Sequence, residues 1–139
     1  MFIRVHPWSK NKQNTMKGEL LYHDETYKII GAAMEVLNTL GHGFYEKPYE
    51  NALAVELKLR DIECQQQRKF PILYKGQFVG EFIPHIIALK KIVVDAKIVD
   101  SIGNSEKGQM LNYLKVTGYR LGLIINFKHP RLEHQRILL

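Results

Sequence analysis

Apolar residues recur at helical spacing from about residue 24 to 39, where Ile29, Ala33, Val36, Leu37 and Leu40 fall on one side. His23-Asp24-Glu25-Thr26 offers a cap and first-turn acids, and Gly41-His42-Gly43 stops the helix. A second helical pattern starts near Glu46, with Pro48 in a first turn where its missing N–H costs little. Tyr49, Ala52, Leu53, Leu57 and Leu59 are predicted to form its apolar face, with Lys47 and Lys58 opposite. Glu46 and Glu56 project toward the apolar side. After Arg60-Asp61 the pattern turns to strands, over 69–74, 77–88 and 91–99. Lys75-Gly76 joins the first two and a turn around Ala88-Leu89-Lys90 joins the last two. A helix over 106–117 follows, with Met110, Leu111 and Leu114 on one side and Gly118 as its stop. Residues 121–127 are so continuously apolar that they read as a covered central strand, and 131–138 as a last edge strand. The order is α-α-β-β-β-α-β-β. No repeat, low-complexity block or domain boundary interrupts it, so 21–139 reads as a single domain.

Residues 1–20 show no period and carry Arg4, Lys10, Lys12 and Lys17 among polar neighbours. They are expected to form a flexible basic N-terminal tail, solvated or touching phosphates. The formal net charge of +6 over 139 residues favours acidic partners, with nucleic acid first. Cys64 is the one cysteine, which excludes an internal disulfide and a structural zinc cluster and suits a reducing compartment. No run approaches the ~18 apolar residues of a membrane helix, and the N-terminus lacks the apolar segment of a signal peptide. The expected location is the cytoplasm, with no membrane partner. A P-loop, a G-x-G-x-x-G turn after a strand and a G-x-S-x-G elbow are all absent, which removes the chemistries they support.

The strongest chemical signal is Asp95-Ala96-Lys97 inside an apolar run. Side chains alternate along a strand, so Asp95 and Lys97 share one face while Val94, Ala96 and Ile98 share the other. Charged groups are rarely buried unpaired. A carboxylate beside a lysine suits metal-assisted phosphodiester hydrolysis, the carboxylate holding a divalent cation and the lysine facing the attacking water or the phosphate. The plain alternative is a strand-surface ion pair worth about 0.5 kcal/mol. His85 lies on the preceding strand, and a hairpin there would bring it toward Asp95. Glu46 sits at a helix start beside a glycine turn, where the helix dipole alone already favours a carboxylate. Gln109, Asn112, Tyr113 and Lys115 lie on the helix after the site strand; the first three are spaced to share a face and could reach a phosphate or a base.

These residues fall in a longer pattern. It includes Thr26-Tyr27-Lys28-Ile29-Ile30-Gly31-Ala32-Ala33-Met34-Glu35-Val36, Gly43-Phe44-Tyr45-Glu46-Lys47-Pro48-Tyr49, Tyr74-Lys75-Gly76 and Gly80-Glu81-Phe82. It continues through Val93-Val94-Asp95-Ala96-Lys97, Gln109-x-x-Asn112-Tyr113-Leu114-Lys115 and residues 121–127. The chain resembles, over about 21–139, the G-x-x-E-x-x-Y proteins, small bacterial and archaeal members of the PD-(D/E)XK nuclease-like superfamily. That resemblance implies an α/β fold with a restriction-endonuclease-like core, a mixed central sheet flanked by helices. It implies a metal-dependent nuclease acting on DNA or RNA with Mg²⁺ or Mn²⁺, and it leaves open a homodimer. Glu46, Asp95 and Lys97 match the family's catalytic positions, and Glu46, His85 and Asp95 its metal positions. Gln109 would support the phosphate side. Asp95 stands where these proteins usually have Glu, one methylene longer. His85 stands where they usually have Asp, which removes a negative charge and trades a hard oxygen donor for imidazole. The expectations are a nuclease with altered metal preference, or a degenerate nuclease-fold module that binds nucleic acid or a protein partner without cutting.

Overall fold

The computed structural model of the chain describes residues 21–139, and the expectation of a flexible tail over 1–20 lies outside the described residues. The first helix, α1 (His23–Leu40), buries Ile29, Ala33, Val36 and Leu37 as its periodicity predicts, and adds Thr26, Ile30 and Ala32. Leu40, at its last position, is exposed. The second, α2 (Glu46–Leu59), buries Tyr49, Leu53 and Leu57. Leu59 is 73% exposed and does not belong to that face. It lies two residues past Leu57, about 200° around the helix. Ala54 and Glu50 occupy buried positions instead.

Seven strands follow in chain order with one more helix among them: β1 (Cys64–Gln65), β2 (Phe70–Tyr74), β3 (Gln77–Phe82), β4 (Ile86–Ala88), β5 (Ile92–Lys97), α3 (Asn104–Thr117), β6 (Leu121–Asn126) and β7 (Glu133–Leu138). The strand expected over 77–88 is two strands, broken at Ile83-Pro84-His85. Proline has no N–H to give to a ladder, and the chain changes sheets at that point. The two-residue β1 was not expected from the sequence. Helix α3 begins at Asn104, earlier than the predicted 106, because the Glu106 carboxylate turns back to accept the Gly103 N–H at 2.8 Å.

The central sheet has the order β1-β4-β5-β6-β7. Strands β5 and β6 run parallel with α3 as their crossover, and the remaining pairs are antiparallel, so the sheet is mixed. Alternation along β5 divides the core. Ile92, Val94 and Ala96 face the layer made by α1 and α2, together with Leu121, Leu123 and Ile125 of β6. Val93 joins Ile87, Ile124, Ile137, Met110 and Leu114 beneath α3. Strand β6 is buried at all six positions, as its apolar run predicts, and β7 is an edge strand, with β1 at the opposite edge. Strands β2 and β3 pair only with each other, in a separate two-stranded hairpin. Two helices on one face and one on the other enclose a mixed sheet, the α/β restriction-endonuclease-like core. No helix among the described residues is long and apolar enough to cross a membrane.

Candidate active site

The site forms at the C-terminal end of β5, beside β6 and between the start of α2 and the flank of α3. The β4–β5 hairpin positions its first two residues. Leu89 and Lys90 make a tight turn with both φ values positive, 55° and 59°, and set the register Ile86↔Val94 and Ile87↔Val93. One step further along that register, His85 lies opposite Asp95, with Nδ1 3.1 Å from Oδ1.

Glu46 is delivered by the turn before α2. Gly43 takes φ +116°, a conformation that side-chain-bearing residues rarely adopt. The Tyr49 hydroxyl, fully buried, donates to the Gly41 carbonyl at 2.6 Å and accepts the Phe44 N–H at 3.2 Å. The Tyr49 ring stacks on Phe127 at 4.8 Å. Gly43, Glu46 and Tyr49 thus act as one device, in which the glycine allows the turn, the tyrosine locks it, and the glutamate is held at the first position of the helix. Tyr49→Phe is expected to lower stability by about 1–2 kcal/mol, because the Gly41 carbonyl and Phe44 N–H lose their partner. Chemical denaturation checks this, and an unchanged midpoint would contradict it.

His85 stands at the centre of the cluster. The Ala96 N–H donates to its Nδ1 at 3.0 Å, which puts the ring proton on Nε2. Nε2 faces Glu46 Oε1 and Glu50 Oε1, each 3.9 Å away. Asp95 Oδ1 lies against the same Nδ1 at 3.1 Å, and the Asp95 side chain is only 9% exposed. The other Asp95 oxygen holds Lys97 Nζ at 3.1 Å, and Lys97 Nζ also donates to Gln109 Oε1 at 2.6 Å. Burial works against the Lys97 charge. The Asp95 carboxylate, with Tyr113 and Glu46 beyond it, outweighs burial and raises the ammonium above the ordinary lysine range. Lys97 is therefore a fixed cation at neutral pH. Burial, with Asp95 and Glu46 adding to it against Lys97, raises the Tyr113 phenol, which stays a hydroxyl.

Of the sequence-predicted residues, the fold gathers Glu46, His85, Asp95, Lys97, Gln109 and Tyr113. Asn112 and Lys115 are exposed on α3 and are not drawn into this network. Glu56 lies elsewhere on α2, paired with Arg60 at 2.7 Å. Glu50 was missed. Its carboxylate is 3% exposed and accepts Gln66 Nε2 at 2.7 Å and Lys47 Nζ at 3.2 Å. Its signal was its place one helical turn after Glu46, on the same face. Asn126 was also missed. It pairs with Lys97 across the sheet and holds the outgoing loop through the Val99 N–H at 3.1 Å and the Val99 carbonyl at 2.7 Å. Cys64 is quiet, since burial pushes its thiol up.

A cleft of about 440 Å³ opens on this cluster, lined by Tyr45, Glu46, Lys47, Glu50, His85 and neighbours. Among the described residues no three imidazole, thiol or carboxylate side chains converge as the ligands of one ion. The physical reason is His85, whose ring stands between Asp95 and the two glutamates, one on each side. The donors facing the cleft are nevertheless hard oxygens. A Mg²⁺-type cation commonly takes one or two carboxylates and completes its shell with water and substrate phosphate. Glu46 and Glu50 line the cleft with such oxygens, while Asp95 lies on the other side of the His85 ring, so a cation shared by Glu46 and Asp95 requires that ring to move, and a fully caged ion does not fit this site.

The sheet order, the helix layers and an acid–lysine pair at the end of the central parallel strand define a nuclease-like α/β domain. Residues 23–137 match the family model of the PD-(D/E)XK nuclease superfamily, and the chain belongs to that superfamily. The match does not single out the G-x-x-E-x-x-Y proteins within it. Neither the curated proteins nor the solved structures give a significant match. A homodimer finds no support in the single chain.

Proposed function

We infer that the protein is a metal-dependent nuclease that hydrolyses phosphodiester bonds in DNA or RNA. One observation carries this reading: Lys97 Nζ is held between Asp95 at 3.1 Å and Gln109 at 2.6 Å, beside the cleft that Glu46 and Glu50 line. Glu46 and Asp95 would hold a divalent cation, with His85 as the nitrogen donor if its ring releases Ala96. When bound, that cation supplies Lewis-acid charge to the phosphate and makes a water more acidic. Lys97 supplies the second positive charge. Its raised proton affinity makes it an electrostatic partner of the phosphate rather than the base that deprotonates water. Gln109 orients the ammonium, and Tyr113 offers a protonated hydroxyl nearby. Imidazole suits transition metals better than Mg²⁺, so Mn²⁺ is the expected activator.

The His85 geometry also favours a second reading. A ring already satisfied by Ala96, standing between the carboxylates, suits a nuclease-fold module that binds nucleic acid without cutting it. One experiment separates the two. Single- and double-stranded DNA and RNA are incubated with the protein and Mg²⁺ or Mn²⁺, alongside His85→Asp and Asp95→Ala. Cleavage by the parent with Mn²⁺, lost in Asp95→Ala and shifted toward Mg²⁺ in His85→Asp, supports the nuclease. No cleavage by the parent, with activity gained in His85→Asp, supports the non-cutting module. Cleavage that survives Asp95→Ala would remove this site from the reaction.

A further inference from the structure

The β2–β3 hairpin keeps apolar side chains in water. Leu73, Tyr74, Phe78 and Val79 are 60%, 62%, 63% and 59% exposed. Leu73 and Phe78 are cross-strand partners, so they form one apolar pair on one face, while Lys75 Nζ lies 5.4 Å over the Tyr74 ring. The base of the hairpin does pack. Phe82 is buried and stacks on Tyr113 at 3.8 Å, and Phe70 meets Tyr119 edge-on at 6.2 Å. The exposed end has no such duty.

The charge around it is predominantly positive. Arg68, Lys69 and Lys75 are exposed along the hairpin, with Glu81 as the acid among them. The hairpin is also continuous with the site. Gln67 before β2 and Ile83 after β3 line the same cleft as Glu46, Glu50 and His85. Six strand residues extend about 20 Å, so the aromatic end lies several nucleotides from the cleft along a bound strand. The hairpin's edges discourage strand addition by a protein partner, because Pro71 lies in β2 and the register slips between Ile72 and Leu73.

We propose that this hairpin is a strand-binding arm: single-stranded nucleic acid, DNA or RNA, wraps the exposed tip so that bases stack on Phe78 on one face and on Tyr74, which pairs with Gln77, on the other, while Arg68, Lys69 and Lys75 meet its phosphates. Aromatic faces accept any base, and cations spaced along the arm follow the backbone, so the binding is tolerant of sequence. This rests on the nucleic-acid reading of the cleft.

The test is fluorescence anisotropy with short fluorescein-labelled oligo(dT) and oligo(U), in chelator so that nothing is cut. Tyr74→Ala and Phe78→Ala are each expected to weaken binding about tenfold. Lys75→Gln should flatten the slope of log affinity against log salt by about 0.7. Both aromatic side chains are exposed, and unchanged thermal melting shows that each variant is folded. Oligo(dT) and oligo(U) affected alike support shared recognition of bases and phosphates. If the parent binds and both aromatic variants bind as tightly, the arm is wrong while the nucleic-acid reading stands. The arm is equally wrong if the variants instead dissociate an oligomer in sedimentation, which makes the patch a contact between copies of the chain. If the parent binds neither oligonucleotide nor a duplex, both readings fall.

Discussion

Lys97→Ala is expected to lower phosphodiester cleavage by about two to three orders of magnitude, the usual cost of removing one preorganised electrostatic partner from a reacting centre. Nucleic-acid binding should change far less, because the other cations remain. The position of the ammonium is the reason. Its side chain is 15% exposed, against an Asp95 side chain that is 9% exposed, so little water screens the pair. The same burial makes Asp95 dependent on Lys97. Removing one partner of a fully buried pair costs about 3–5 kcal/mol, and residual solvent access brings the expected loss here to about 2 kcal/mol. The pH dependence has a definite sign. A raised lysine contributes stability that is fully present at neutral pH and is lost only as pH climbs through its elevated value, above the ordinary lysine range. In chelator, the parent and Lys97→Ala should therefore converge in stability at strongly alkaline pH and differ below it. Single-turnover cleavage and denaturant titration read the two effects separately. Parental cleavage rates in a folded Lys97→Ala would take Lys97 out of the mechanism.

Gly122→Val is expected to destabilise the fold by about 3 kcal/mol and to lower the melting temperature by about 10 °C. Gly122 lies on β6, between Val93 of β5 and Ile137 of β7. A Cβ there would collide with Met110 Sδ and stand 2.5 Å from its Cγ. Met110 is 1% exposed, so its thioether fills the space the missing side chain leaves and has nowhere to move. This is the contact that seats α3, and α3 carries Gln109 and Tyr113. Met110→Ala in the Gly122→Val background should recover a large part of the loss, a coupling that independent sites do not show. If Gly122→Val melts with the parent, the packing of α3 on the sheet does not depend on this socket.

The sequence was informative where one period repeats. Ile29, Ala33, Val36 and Leu37 mark α1, and the uninterrupted run of β6 marks a strand covered on both faces. Local physics suffices there, because a stripe that must leave water dictates which face turns inward. It was less informative where tertiary contacts overrode the pattern. Leu59 is apolar and exposed, whereas Glu50 is charged and buried. Gln66 and Lys47 compensate Glu50, and Gln66 is sixteen positions away along the chain. A one-dimensional pattern holds no such partner. The break at Pro84 was legible in principle, since a proline weakens any claim to one long strand.

By itself the chain's order of residues determined the α/β class, the central strand and the shared face of Asp95 and Lys97. These follow from periodicity and from side chains only a few residues apart. Only the tertiary structure decided that the His85 ring stands between Asp95 and two glutamates, that Lys97 is shared between Asp95 and Gln109, and that Gly122 is the seat for Met110. Those facts depend on register across strands and on how closely helices approach the sheet. Distance in space sets them, and separation along the chain does not encode it.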